Sequence, residues 1–265
     1  MHGASSVLPS QSSSIPFSHA SGPGIGVLVT QTTSPASQRV VPGAHGALRS
    51  LVPNIATTRS LLEVGCGSGF LSLYAMEALA RAGSSLEEIH LIDIEPQALT
   101  CGMAAIEKTA GRTVVTASLG RRGEALRVRG RYDLVLMNPP YIRRPPELTF
   151  ARYKDNPWEG VALIRELADR APEILTPGGS LILVVSSLCD DLAMPWLSQS
   201  LEVETLAELD VPLKVYAVVS RLTHKSREWM EFLRATEGLA VHDPPRDGYD
   251  AWQTIRVLRC RPRPA

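Results

Sequence analysis

The amino-acid sequence predicts an α/β fold in which a mostly parallel sheet is covered by helices on both faces. Short apolar segments typical of buried strands alternate with longer segments whose apolar residues recur at helical spacing. The first such strand leads directly into a glycine-rich loop that opens a helix. The following strand ends in an acidic residue, and a later one ends in two prolines, which a strand interior does not accept. The sequence therefore places polar side chains, Asp93 and Asn138, at the carboxyl ends of two predicted strands.

Composition and charge narrow the class of protein. The 265 residues, 44% hydrophobic and 20% charged, suffice for one sizeable domain. The formal net charge is zero, whereas a nucleic-acid-binding domain usually carries a basic excess. The four cysteines have no C-x-x-C spacing, which argues against a zinc ribbon and a disulfide framework. Reduced, mostly buried thiols and no metal site are expected.

The N-terminal segment has the composition of a tail. Residues 1–24 contain eight Ser, three Pro and three Gly and no Asp, Glu, Lys or Arg, a composition that is unlikely to pack a core. We expect 1–38 to be a flexible tail and lead-in and 39–265 to form a single domain. No run approaches the roughly 18 apolar residues of a membrane span, and no lysine or arginine precedes Arg39. A cytoplasmic protein without a membrane partner is expected.

The first predicted elements surround the glycine loop. Apolar residues at helical spacing predict a helix over 44–57, and a short apolar run predicts a strand over 61–64. The helical pattern that follows the loop covers 70–82 and ends before Gly83. The loop thus connects the carboxyl end of a strand to the start of a helix.

The next unit repeats this alternation. A strand is predicted over 88–94, and within it His90 is expected to be a core residue whose ring nitrogens are satisfied. Pro96 stands where the first turn of a helix over 97–109 would begin, a position at which proline is favoured. A third strand is predicted over 113–117, where β-branched residues predominate.

The second half of the chain continues the pattern. The strand over 132–137 is short and apolar, and a helix over 160–175 is stopped by a Thr-Pro-Gly-Gly turn. The apolar strand over 180–186 follows, with a composition typical of burial on both faces. The remaining predicted elements are two helices and two strands: 192–200, 215–219, 226–235 and 252–259.

The glycine loop and its acids form the first candidate site. The run Glu63-Val64-Gly65-Cys66-Gly67-Ser68-Gly69 follows a strand, and its glycines allow a tight turn and a close approach to a ligand. Asp93 ends the next predicted strand, 93 − 69 = 24 residues after the last glycine. A carboxylate at that place can accept both hydroxyl groups of a ribose. The alternative is a glycine turn without a ligand.

Two cofactor classes compete for this loop. A dinucleotide site normally has the spacing G-x-G-x-x-G, which places a helix N-terminus against a pyrophosphate. Here the spacing is G-x-G-x-G, and Glu63 precedes it. S-adenosylmethionine carries an ammonium and a sulfonium and no phosphate, so a neighbouring acid suits it better.

The Asn138-Pro139-Pro140-Tyr141 turn forms the second candidate site. Its prolines fix φ and hold the residues before them extended at the end of the strand. The Asn138 side chain and the Pro139 main chain offer two carbonyl acceptors, and Tyr141 offers a flat ring. Such a set suits a planar nitrogen that donates to both acceptors. A strand-ending turn with a buried tyrosine is the alternative.

These motifs, in this order, resemble class I S-adenosylmethionine-dependent methyltransferases, and more narrowly the HemK-type glutamine-amide methyltransferases and their relatives that methylate amino groups of nucleic-acid bases. The resemblance covers roughly residues 40–190. It implies a Rossmann-like methyltransferase fold with a seven-stranded, mostly parallel sheet whose last strand is antiparallel. Two features differ from HemK enzymes that modify release factors: a helical N-terminal domain is not evident, and Ser118 stands where an acidic residue often lies near the adenine.

The resemblance also implies roles for individual residues. The backbone of Gly65, Cys66, Gly67 and Gly69 is expected to pass beneath the methionine part of the cofactor. Glu63 is expected to hold the ammonium, Asp93 the ribose, and Ile94 to pack on the adenine. For the acceptor, Asn138 and Pro139 are expected to orient the nitrogen and Tyr141 to stack on it or wall it. Weaker candidates for substrate contact are Pro140, Arg143, Arg144 and Trp158.

Three interpretations of the acceptor side remain open at this point. A small molecule or a glutamine-like side-chain amide agrees with the neutral charge, and it is favoured. An RNA or DNA base, methylated as at adenine N6, agrees with the Asn-Pro-Pro-Tyr turn and the nearby arginines. The third interpretation is a non-catalytic cofactor-binding subunit, which an intact acceptor turn argues against.

Overall fold

The computed structural model describes residues 57–120, 128, 130–139, 141–143, 161–213 and 224–263. Several predictions lie outside these residues. They concern the tail and lead-in, nearly all of the first helix and one strand: 1–38, 44–56 and 215–219. The same holds for Pro140, Arg144 and Trp158.

The described residues form strands and helices in alternation over most of their length. The strands are β1 Ser60–Val64, β2 Glu88–Asp93, β3 Val114–Leu119, β4 Tyr132–Met137, β5 Leu175–Ser186, β6 Leu201–Pro212, β7 Leu239–Arg246 and β8 Tyr249–Pro262. The helices are α1 Phe70–Arg81, α2 Pro96–Glu107, α3 Val161–Ile174, α4 Asp190–Ser200 and α5 His224–Arg234, and a short 3-10 turn, Ser187–Cys189, links β5 to α4. Each of these five helices lies within a few residues of a predicted one.

The strands make one sheet in the order β3-β2-β1-β4-β5-β8-β6, and β7 pairs with β8 beside this path. Strands β1 to β5 are mutually parallel, whereas β8 runs antiparallel to both β5 and β6. The predicted mostly parallel sheet with an antiparallel last strand is confirmed. The path contains the expected seven strands, and β7 is an additional eighth strand among the described residues.

The two faces of the sheet are buried by different helices. On one face α3 and α4 pack against alternate residues of the central strands, including Leu62, Val135 and Leu183. On the other face α1 and α2 cover the intervening residues, such as Leu61 and Leu134. All five residues of β1 are buried, including the polar side chains of Ser60 and Glu63, as expected for a central strand covered on both faces.

His90 in β2 is satisfied as expected. Its Nδ1 lies 3.0 Å from the Tyr132 hydroxyl and its Nε2 lies 2.8 Å from Ser118 Oγ. Burial lowers the pKa of the ring. The interaction also accounts for Ser118, which binds the histidine.

The C-terminal part differs most from the prediction. The strand β6 is a sheet edge, and its outward glutamates pair with arginines of β8, as in Arg259 Nε to Glu204 at 2.9 Å and Arg256 Nε to Glu208 at 2.6 Å. β7 carries two prolines and pairs with β8 only in part. These edge strands lack the apolar pattern of the central ones, so the sequence did not predict them.

Candidate active site

The candidate site lies at the carboxyl ends of β1, β2 and β4. β1 lies between the other two strands, so the glycine loop after β1 has Asp93 on one side and Asn138 on the other. The sheet topology thus brings together three motifs that are far apart in the chain. This is the edge at which open α/β sheets place their ligands.

The glycine loop is held by its backbone. The amides of Gly65 and Cys66 both donate to the carbonyl of Ile92, at 2.8 and 3.0 Å. Gly65, Gly67 and Gly69 all have positive φ, between 51° and 73°, which a residue with a side chain adopts only at a cost. A Cβ at Gly65 or Gly67 would meet nothing within 4 Å. The space above these two glycines is therefore open to a ligand.

Gly69 is required for a second reason. A Cβ there would lie 3.2 Å from the Cα of Gly102 and 3.1 Å from Ile106 Cδ1, both in α2. The close approach of α2 thus fixes the end of the loop. The contribution of Gly102 was not predicted, because the sequence pattern does not show which helix packs against the loop.

Asp93 holds the loop from the side of β2. Its Oδ2 accepts a hydrogen bond from the Gly67 amide at 2.8 Å, and its Oδ1 accepts one from the Glu95 amide at 2.9 Å. Each carboxylate oxygen has a further lone pair for a hydroxyl group. Asp93 is only partly buried, so these lone pairs are accessible to a ligand.

Glu63 lies beneath the loop with only 2% of its surface exposed. Its Oε2 accepts hydrogen bonds from the amide of Ser72, at 3.0 Å, and from the hydroxyl of the same residue near the start of α1. Burial nevertheless raises the pKa of Glu63 to about 7. A carboxylate with this pKa gains most from a nearby positive charge. Ser72 is a further residue of the site that the sequence did not indicate.

The cofactor side also contains an exposed apolar surface. Ile94, directly after Asp93, is 49% exposed, and Leu119, which pairs with Asp93 in register, is 61% exposed. Such side chains at the end of β2 and β3 suit the flat face of a base. Cys66 in contrast is buried, and burial raises the pKa of its thiol. Its side chain therefore packs in the core, and its backbone forms the loop.

Asn138 follows β4 and carries the most informative polar atom of the site. Its side-chain oxygen Oδ1 is buried and has no hydrogen-bond partner among the described residues. A buried carbonyl without a partner costs free energy, and in native structures it points to a missing donor. Pro139 next to it is buried as well.

Tyr141 lies in the core. It is 8% exposed and belongs to the same apolar cluster as Met137 and Val161. Burial raises the pKa of its hydroxyl. The packing role is thus evident, while stacking of the ring on an acceptor stays a prediction.

Arg143 faces the protein and carries a paired charge. Its guanidinium binds Asp191 in the first turn of α4, and only 13% of its side chain is exposed. Its main-chain carbonyl accepts a hydrogen bond from Trp229 Nε1 at 2.6 Å. The sequence indicated neither partner, since each lies far along the chain. Direct substrate binding by Arg143 stays a prediction.

Metal clusters and membrane-spanning helices are both absent from the described residues. Within the ranges given above, no group of three or more His, Cys, Asp or Glu side chains is arranged to hold a metal ion. No helix in that part of the chain combines the length and the apolar character needed to cross a bilayer. All four cysteines are free, and Cys66, Cys189 and Cys260 are buried, as expected.

Comparison with known proteins gives a consistent result. The sequence model of the family described as "Methyltransferase small domain" matches residues 36–208. Methyltransferase HEMK2 of Mus musculus is 32% identical over 144 residues, which are 52% of this chain and 64% of that protein. The ribosomal protein uL3 glutamine methyltransferase of Bradyrhizobium diazoefficiens is 29% identical, over 53% of this chain and 44% of that protein.

A relative named for a different acceptor has a comparable similarity. The tRNA1(Val) (adenine(37)-N6)-methyltransferase of a Shewanella strain is 27% identical over 51% of this chain and 56% of that protein. The chain spans less than two thirds of each of these three relatives. The matched family region contains every residue of the candidate site, and it ends before α5.

Proposed function

Because the chain belongs to the methyltransferase small domain family, we propose that it is an S-adenosylmethionine-dependent N-methyltransferase. Its acceptor is a planar or amide-like nitrogen, either of a small molecule or of a glutamine-like side chain. The family match ends at residue 208, but β8 lies between β5 and β6. The C-terminal strand therefore completes the same sheet, which supports a single methyltransferase domain over 39–265.

The described residues fit the cofactor. Open space above Gly65 and Gly67 leaves room for the methionine part, and Glu63 lies directly below with a pKa that favours a cationic neighbour. Asp93 has free lone pairs for ribose hydroxyls, and Ile94 exposes an apolar side chain for the adenine. When bound, S-adenosylmethionine supplies an electrophilic methyl group on its sulfonium.

The observation that carries the proposal is the buried Oδ1 of Asn138, which has no hydrogen-bond partner in the part of the chain that the structure describes. A buried acceptor at the end of β4, held by the following prolines, fits an N–H donor that arrives with the substrate. A second bond to the Pro139 carbonyl fixes the plane of the acceptor nitrogen. Two such bonds direct the nitrogen lone pair toward the cofactor, and positioning of this kind contributes a large part of the rate of a group transfer.

Proton removal needs no dedicated base before attack. A neutral amide or amino nitrogen can lose its proton after it has gained the methyl group. The chain therefore acts by orientation and by exclusion of water around Asn138 and Tyr141. The ion pair of Arg143 with Asp191 and the burial of Tyr141 restrain the segment that follows Asn138.

Two acceptor classes have specific support. The uL3 glutamine methyltransferase is named for a protein glutamine, and that class is favoured by the neutral net charge of this chain. The adenine-N6 methyltransferase is named for a tRNA base, so a nucleic-acid base is the alternative. A non-catalytic cofactor-binding subunit is a second alternative, against which the intact turn argues.

The test uses the full chain with S-adenosylmethionine labelled in the methyl group. Separate reactions contain small metabolites, total protein, RNA or DNA. Labelled protein and nucleic acid are digested enzymatically, which keeps side-chain amides intact, and the products are separated. We expect label in the metabolite fraction or as N5-methylglutamine from protein. Label as N6-methyladenine would establish the alternative acceptor. Cofactor binding without transfer to any fraction would favour the non-catalytic subunit.

A further inference from the structure

The segment after the acceptor turn is held by a part of the chain that lies beyond the family match. Trp229 is in α5, and its indole Nε1 donates a 2.6 Å hydrogen bond to the carbonyl of Arg143. Arg143 is five residues from Asn138, and two prolines and a tyrosine lie within the segment that joins them. Prolines stiffen such a segment, so a restraint at Arg143 acts on the orientation of Asn138.

The indole that makes this bond is itself fixed. Trp229 is 6% exposed and packs with Leu188, Leu233 and Ala251 in an apolar cluster separate from the two sheet cores. Ile142, the residue before Arg143, packs against this cluster and also against the core that contains Tyr141. The acceptor segment thus joins the C-terminal cluster to the main core.

The C-terminal cluster is anchored to the carboxyl end of β5. Ser187 Oγ donates to the carbonyl of Gly238 at 2.6 Å and accepts from the amide of Thr254 at 3.0 Å. A Cβ at Gly238 would lie 2.1 Å from the Ser187 carbonyl oxygen, so the two backbones are in direct contact. The position of α5 is therefore set by the sheet.

A second contact, with α4, restrains Arg143. The side chain of Arg143 pairs with Asp191 at the start of α4, while its main chain is bound by α5. One residue is thereby held through both its side chain and its backbone. Neither contact reaches the cofactor side of the site, which is built by the glycine loop and Asp93.

We propose that Trp229 is a positioning residue for methyl transfer: its bond to the Arg143 carbonyl holds the segment after Tyr141, and thereby fixes the direction of the Asn138 acceptor. This inference rests on the proposed function for its catalytic consequence. Its structural part, the restraint of residues 141–143 by α5, can be measured without any substrate.

The test compares two tryptophans of the full-length chain. Trp229→Phe removes the donor and keeps most of the packing. Trp252→Phe is the matched control, because Trp252 is 7% exposed and donates to the carbonyl of Tyr249 at 3.1 Å, within the β7–β8 hairpin. Three quantities are measured: the rate of trypsin cleavage after Arg143, the affinity for S-adenosylmethionine, and the single-turnover methylation rate. The acceptor for the rate measurement is the one that the labelling experiment described above identifies.

We expect Trp229→Phe to raise the rate of cleavage after Arg143 about tenfold, as the loss of one neutral hydrogen bond allows. Methylation at saturating acceptor should fall by a similar factor or more, with cofactor affinity unchanged. Trp252→Phe should change none of the three. Unchanged cleavage in Trp229→Phe, or equal effects in both variants, would overturn the proposal. If the parent protein methylates nothing, the proposed function fails, and the cleavage rates still decide the restraint.

Discussion

The carboxylate of Asp93 accepts a hydrogen bond from the amide of Gly67 at 2.8 Å. This bond joins the end of β2 to the glycine loop after β1. The same carboxylate has lone pairs left for the two hydroxyl groups of a ribose. One residue thus shapes the loop and is available to the cofactor.

Replacing Asp93 by Ala should weaken S-adenosylmethionine binding roughly ten- to hundredfold, since hydrogen bonds to a charged group are worth about 1.5–3 kcal/mol. Isothermal calorimetry on the purified variant measures the effect. Asp93→Asn is an intermediate variant, because it keeps one acceptor for the Gly67 amide but loses the charge and the second acceptor, which binds the Glu95 amide. Unchanged affinity in a folded Asp93→Ala variant would show that the ribose is held elsewhere.

The glycines of the loop should differ in their tolerance of alanine. Gly67→Ala meets only the cost of a positive φ, about 1–2 kcal/mol, because a Cβ there has open space. Gly69→Ala adds contacts with Gly102 and Ile106, so a total of about 2–4 kcal/mol is expected. Urea denaturation of both variants measures the difference. Equal destabilisation would contradict the packing of α2 against the loop.

Glu63 should make stability depend on pH. Burial raises its pKa from 4.5 to about 7, so the folded state binds the proton more tightly than the unfolded state. Its contribution to stability is therefore fully present below pH 4.5 and is lost as pH rises through 7. The difference of 7 − 4.5 = 2.5 pKa units corresponds to about 3 kcal/mol.

The measurement compares the free energy of unfolding of the parent protein and of Glu63→Gln between pH 5 and 8. The variant cannot lose a proton, so its stability relative to the parent should increase with pH. A constant difference across this range would mean that Glu63 has an ordinary pKa. Excess cofactor should reduce the pH effect, since an ammonium near Glu63 favours the carboxylate.

The sequence predicted which motifs lie at one edge of the sheet where its signals are local. The glycine loop, Asp93 and the Asn138 turn are each recognisable within a few residues, and alternation of strands and helices places them at one edge. The contributions of Ser72 and Gly102 to the site were not predicted, because they depend on which helices pack against the glycine loop. The same applies to Asp191 and Trp229, which meet Arg143 across 48 and 86 residues of chain.

The fold shows a similar division. The central strand β4 was predicted to the residue, because burial on both faces produces a mostly apolar run. The central strand β5 begins at Leu175, five residues before its predicted start, because the Thr-Pro-Gly-Gly segment that was predicted as a turn is part of the strand. The edge strand β6 alternates acidic and apolar residues with a register shift between Thr205 and Ala207, which breaks the period of two. The arginines that pair with the glutamates of β6 lie in β8, far along the chain. The sequence of β6 alone therefore does not show the ion pairs that stabilise this strand.

The Asn138 side chain offers two informative substitutions. Asn138→Asp keeps an acceptor and the shape but adds a charge near the sulfonium, so cofactor binding should be retained or tighter while transfer falls. Asn138→Ala removes the acceptor altogether and leaves the glycine loop and Asp93 untouched. Parallel titrations with S-adenosylmethionine establish that each variant still binds it.

The single-turnover methylation rate of Asn138→Ala tests the central claim most directly. Loss of one of two bonds that orient the acceptor nitrogen should reduce the rate on the order of a hundredfold, with cofactor affinity unchanged. Such a result would show that the buried side-chain oxygen of Asn138, without a hydrogen-bond partner among the described residues, binds the acceptor. A variant with full activity would contradict the nitrogen-acceptor account and would require an acceptor of another class.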